Sequence, residues 1–156
     1  MKILTHDIVE FFRNQPFVII STIDEDGSPH NSCKGIVEIS ENGRVYLLDL
    51  YRGRTYVNLL KNRYISVTAV DEHRFRGYSL KGKAGLMKEG DLTPQVIKSW
   101  EDRIAGRVTQ RVIKNIQGEK GHLRHPEVLL PKPEYMIMME VGEVVDLTPH
   151  HLKEGK

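Results

Sequence analysis

The residues best suited to chemistry stand together at Arg52-Gly53-Arg54-Thr55, a run that reads as the entrance to a helix. Unpaired amides at a helix N-terminus favour anions. Arg54 could grip a phosphate through two parallel hydrogen bonds, and Thr55 could add its hydroxyl. The plainer reading is a capped helix with two exposed arginines. From Arg52 to Lys88 there are nine Lys and Arg residues but only two acids, Asp71 and Glu72. The whole chain has 23 basic and 21 acidic residues, for a net charge of +2. A local excess of this kind suits an anionic ligand, or else forms a solvated basic face.

Other reactive side chains lack the partners that catalysis would need. Cys33 and His30 lie three apart on an expected strand and so point to opposite faces. Cys33 reads as a small buried residue, and no third group is evident to orient a Cys–His pair. Ser21, Ser32 and Ser66 stand outside any nucleophile-elbow motif. His122 and His125 have no neighbouring Cys to complete a zinc set, so no metal site is expected. His150 and His151 read as solvated. Phosphate-loop, dinucleotide-binding and zinc-finger patterns are absent. The 1 Trp, 6 Tyr and 4 Phe do not interleave with the basic residues, which argues against a nucleic-acid partner. No catalytic residue is nominated.

The elements that must position these groups follow from periodicity and punctuation. Thr5 or Asp7 should cap a short helix bearing Ile8, Val9, Phe11 and Phe12, stopped by Pro16. Phe17 to Ile23 reads as a buried strand. A turn at Asp24-Glu25-Asp26-Gly27 leads to a second strand from Pro29 to Ile39. Asn42-Gly43 marks a hairpin into a third strand, Arg44 to Leu50. A helix is expected over Arg54 to Asn62, with Tyr56, Leu59 and Leu60 facing inward. Strands follow at Tyr64 to Val70 and at Arg74 to Met87. Gly77, Gly82 and Gly85 in the latter suggest a bulge or a close backbone approach. Thr93 and Pro94 open a helix that should bend at Gly106 and end near residue 117. Gly118 to Pro133 reads as a loop and Glu134 to Leu147 as a long last strand.

At 156 residues, with 39% hydrophobic and 28% charged residues, the chain has the length and composition of one globular domain. We place that domain at residues 1–150, with a helical excursion at about 93–117 and a frayed tail at 151–156. Hairpins outnumber crossovers, so the expectation is a mainly β protein with peripheral helices, closed as an antiparallel barrel. Apolar runs are too short for a membrane span, the N-terminus lacks a signal-peptide core, and the single Cys forms no internal disulfide. Together these favour a cytoplasmic protein with no membrane partner.

The order of these features is more specific than any one of them. Asp24-Glu25-Asp26-Gly27-Ser28-Pro29 precedes Asn31-Ser32-Cys33. Leu48-Asp49-Leu50, Arg54-Thr55-Tyr56-Val57-Asn58-Leu59 and Ile65-Ser66-Val67 follow, then Gly77-Tyr78-Ser79-Leu80-Lys81-Gly82-Lys83-Ala84. The stretch from Phe17 to Ala84 resembles the pyridoxamine 5′-phosphate oxidase-like FMN-binding split-barrel proteins. Within them it is similar to the flavin-reductase-like and small FMN-binding members. The resemblance implies a six-stranded antiparallel split β-barrel and a homodimer with FMN at the interface. It also implies an oxidoreductase that takes electrons from a nicotinamide or a redox-protein partner. By the same resemblance Arg54 and Thr55 would hold the FMN phosphate. Asn31, Ser32, Cys33 and Lys34 would contact phosphate and isoalloxazine, and Asp49 and Leu50 would face the flavin. Asn58 would be structural. Ser32 and Thr55 stand where the pyridoxine-oxidising members carry Arg and Lys, and their C-terminal Trp and Arg pattern is not visible. These departures tell against the pyridoxine reaction rather than against flavin binding. A non-catalytic carrier of FMN, deazaflavin F420 or haem is the alternative, with His73, His122 or His125 as candidate haem ligands.

Overall fold

A computed structural model describes residues 1–119 and 134–153. Helix α1 (His6–Arg13) precedes strands β1 (Val18–Ile23), β2 (Pro29–Lys34), β3 (Ile36–Ile39) and β4 (Arg44–Leu48). Helix α2 (Arg54–Lys61), strands β5 (Tyr64–Asp71) and β6 (Arg76–Lys88), helix α3 (Pro94–Ile116), strand β7 (Tyr135–Asp146) and a terminal turn α4 (His150–Lys153) complete it.

The strands form one antiparallel sheet in the order β2-β1-β5-β6-β7-β4-β3. Its two edge strands, β2 and β3, are consecutive in the chain and separated by Gly35 alone. The sheet must therefore curl until its edges lie side by side, which is the geometry of a barrel split along one seam. This gives seven described strands where six were expected. The segment Pro29–Ile39 is not one strand. It pairs with β1 up to Lys34 and with β4 from Ile36, and Gly35 is the break.

The interior of the curl holds Phe12, Ile20, Ile39, Val45, Leu47, Val67, Leu80, Ile137 and Met139, all excluded from solvent. A second apolar cluster lies where α3 sets Val96 and Trp100 against Val37 and Met136. The Asn42-Gly43 signal is met: Gly43 sits at φ +84° in the β3–β4 turn, a conformation glycine adopts without strain. The bulge foreseen among the β6 glycines falls between Lys81 and Gly82, where β6 pairs with β7. A Cβ at Gly82 would overlap the Glu140 carbonyl oxygen.

Several local expectations are corrected. Strand β1 is buried on one face only. Ile19 and Ile23 lie on its outer face, because no described element covers that side. On α2 the inner face is Thr55, Asn58 and Leu59, while Leu60 is exposed. Helix α3 is not interrupted at Gly106 but runs 23 residues through it. The helical hydrogen-bond ladder tolerates an exposed glycine at a modest cost. Thr93 caps α3 as expected, accepting from the Val96 amide, with Pro94 in the first turn. The start of the tail is a helical turn to Lys153 rather than frayed chain. Most of the expected loop at Gly118–Pro133 lies outside the described residues.

Candidate functional site

The N-terminus of α2 faces strand β2. Gly53 is the N-cap residue and has no side chain with which to cap, so the first-turn amides keep no side-chain acceptor. Thr55, buried in that first turn, shares a hydrogen bond with Ser32 of β2, Oγ1 to Oγ, at 2.9 Å. Arg54 donates from Nη1 to Asp24 Oδ2 at 3.2 Å, which leaves further guanidinium N–H groups for a ligand. Asn58, one turn on, donates from Nδ2 to Asp24 Oδ1 at 2.8 Å and to Thr22 Oγ1 at 3.0 Å. Asn58 thereby ties the helix to the β1 end, the structural role expected of it.

Beside this corner lies a buried polar network. Lys34 lies two residues beyond Ser32 on β2 and so shares its face. Its Nζ meets Asp49 Oδ1 at 2.7 Å, and the Tyr135 hydroxyl donates to Asp49 Oδ2 at 2.5 Å. Asp49 is 4% exposed and Tyr135 5% exposed, so neither group has water as an alternative partner. Burial pushes the Tyr135 phenol far above its ordinary value, and the bond to Asp49 adds to the shift. Arg52 closes the network from outside. It bonds Glu134 at 2.8 Å and lies over the rings of Tyr56 and Tyr135. Its φ of +40° is unusual for a residue with a side chain.

The eight residues singled out from the sequence therefore fall into two sets. Ser32, Lys34, Asp49 and Thr55 come together on the inner side, with Arg54 at the rim and Leu50 half-buried beyond β4. Asn31 and Cys33 lie on the opposite face of β2. Asn31 accepts a bond from Ser21, and Cys33 is exposed rather than buried, because the alternation of β2 turns it outward. Two participants were not foreseen: Asp24 as partner of Arg54 and Tyr135 as partner of Asp49; His30 shares the face of Ser32 and Lys34. Nothing near Asp49 in sequence indicates Tyr135. His73 is exposed in the β5–β6 turn, and His122 and His125 lie outside the described residues. Among the described residues no group of three or more His, Cys, Asp or Glu could hold a metal ion.

The family model for pyridoxamine 5′-phosphate oxidase matches residues 4–130. The chain belongs to the pyridoxamine 5′-phosphate oxidase family. No curated protein matches it by sequence. Solved structures of similar fold include a putative pyridoxamine 5′-phosphate oxidase from Lactobacillus delbrueckii, 17% identical, with a TM-score of 0.62 over 93% of this chain and 95% of that one. HutZ, the heme storage protein from Vibrio cholerae, is 16% identical with a TM-score of 0.53 over 93% of this chain and 94% of its own. An F420 reductase is 13% identical with a TM-score of 0.54 over 87% of this chain and 94% of its own. At these identities the likeness is one of fold: a pyridoxamine 5′-phosphate oxidase-like split barrel. No helix among the described residues is long and apolar enough to cross a membrane.

Proposed function

We propose that this member of the pyridoxamine 5′-phosphate oxidase family is an FMN-binding oxidoreductase. The observation that carries the reading is the convergence of Arg54, the uncapped first turn of α2 and the Ser32–Thr55 hydroxyl pair on one corner. The donors there suit a phosphomonoester: amides, two hydroxyls and a guanidinium. Lys34 adds little charge to that corner because Asp49 already neutralises it. When bound, FMN supplies the electron transfer, and the protein binds, orients and shields it. A nicotinamide or a reduced protein would be the donor. The exposed Ile19, Ile23, Tyr64 and Val70 on the outer face of β1 and β5 support a homodimer formed through that face. A cytoplasmic location goes with this reading.

A second reading is a carrier of haem or F420, since HutZ and the F420 reductase share the fold. The half-buried His30, on the same face as Ser32, favours its haem form. The experiment that separates these readings is titration of the purified protein with FMN, F420 and haemin, followed by visible absorbance and fluorescence. FMN should bind, and Arg54→Ala should weaken it by tenfold or more, about 1.5–3 kcal/mol for a charge-assisted hydrogen bond. Unchanged affinity in that variant would remove the phosphate assignment, and haemin binding lost in His30→Ala would favour the carrier.

A further inference from the structure

Arg54 is the charged group of the phosphate corner, and in this structure its charge is already engaged. Arg54, Val57, Asn58 and Lys61 follow one another at helical spacing along one flank of α2, where they face the β1–β2 turn across a cleft. Asp24 of that turn sets Oδ2 3.2 Å from Arg54 Nη1 and Oδ1 2.8 Å from Asn58 Nδ2. The guanidinium is thus drawn to the flank it shares with Asn58, while Thr55 meets Ser32 on another side of the same helical turn. We propose that Asp24 is a positioning residue for phosphate binding, the resident counter-ion of Arg54. It holds the guanidinium on this flank in the free protein and releases it to the phosphate of a ligand. The inference rests on the flavin reading above.

The turn itself does not need the Asp24 carboxylate. Its closing bonds are backbone ones, from the Asp24 amide to the Ser28 carbonyl at 2.8 Å and from the Gly27 amide to the Asp24 carbonyl at 2.9 Å. The carboxylate is fixed, whereas the guanidinium is free to swing. The Asp24 side chain is 18% exposed and is anchored by the buried Asn58, which also bonds Thr22. The Arg54 side chain is 65% exposed and is held at one point, at 3.2 Å. A tight charge-assisted bond is shorter, about 2.7–2.9 Å. Helix α2 brings no acid to its own first turn, and the neighbouring Glu25 is engaged by Lys61 at 2.9 Å, so Asp24 is the charge that offsets Arg54. A phosphate at the α2 amides therefore competes with Asp24 for one guanidinium. It can win because a phosphomonoester offers two parallel bonds and more negative charge than a carboxylate.

The test compares FMN with riboflavin, which has the same ring system and no phosphate, by fluorescence titration of the purified protein. The ratio of the two affinities isolates the phosphate, whereas a purely structural role for Asp24 would move both ligands together. Asp24→Asn keeps an acceptor for Asn58 and removes the charge. It should raise the ratio by about twofold to fivefold, the scale of an ion pair with an exposed member. Asp24→Ser also removes the charge, should move the ratio the same way, and serves if the Asn variant does not fold. Glu25→Gln takes a charge from the same turn without touching Arg54 and should leave the ratio unchanged. In the Arg54→Ala background Asp24→Asn should change the ratio by less than about 1.5-fold, because no guanidinium is left to release. Where wild type favours FMN over riboflavin, three results each overturn this inference alone: a ratio unmoved or lowered by loss of the Asp24 charge, an equal rise in Glu25→Gln, or a rise that persists without Arg54. Wild type that binds neither flavin, or binds both alike, overturns the phosphate reading and this inference with it.

Discussion

Removing Lys34 should expose how strongly the buried network is coupled. In Lys34→Met the Asp49 carboxylate stays buried and keeps Tyr135 as its one described donor, at 2.5 Å. Leaving one member of a buried ion pair uncompensated costs about 3–5 kcal/mol. The Lys34 side chain is 12% exposed and Asp49 retains the phenol, so the lower end, about 3 kcal/mol, is expected. At about 2–4 °C per kcal/mol for a chain of this size, the melting temperature should fall by about 6–12 °C. Asp49→Leu strands the Lys34 ammonium in the same way and also leaves the Tyr135 hydroxyl without its acceptor. The double variant Lys34→Met/Asp49→Leu removes both charges and orphans only that hydroxyl. Its loss should fall short of the summed single losses by at least about 1.5 kcal/mol. Urea unfolding of all four proteins, without added flavin so that ligand binding does not contribute, gives the cycle. A coupling below about 0.5 kcal/mol would show that Lys34 and Asp49 are not paired and would refute the buried network.

Tyr135 makes a pH prediction of definite sign. Its phenol is held neutral in the folded protein and ionises near pH 10 when unfolded, so the stability it contributes is complete below about pH 10 and is lost as pH rises beyond it. Tyr135→Phe should be less stable than wild type at pH 7 yet lose less stability between about pH 10 and pH 11.5, as read by urea unfolding at each pH. The absorbance difference between the two native proteins should show no phenol ionisation near pH 10. Gly106 is exposed within α3, and a Cβ there would meet nothing within 4 Å. Gly106→Ala should therefore raise stability by about 0.5–1 kcal/mol in the same assay, and a loss would mean that the helix does need a break at this point.

How much of the molecule was legible beforehand depends on the range of the interaction. Thr93-Pro94 opens α3, Asn42-Gly43 turns the hairpin into β4, and Arg54 begins α2 because caps, turns and helix starts are settled by backbone geometry within a few residues. The order of those local signals was also specific enough to suggest the family. The placement of Arg54 and Thr55 in the first turn of α2 was legible for the same reason: a helix N-terminus is a local feature.

Sequence alone thus determined the strands and helices nearly in place, the start of α2 at Arg54 and the split-barrel class. Tertiary structure decided the rest. Gly35 parts β2 from β3 because the two halves of one extended segment find different partners on opposite edges of the curled sheet. Ile19 faces outward and Ile20 inward because the alternation of β1 has a core on one side only. The pairing of Asp49 with Lys34, 15 residues away, and with Tyr135, 86 residues away, exists because β2, the end of β4 and the start of β7 converge. Hydrogen bonds of that span have no local signature, since they arise from which strands become neighbours and not from which residues are adjacent in the chain.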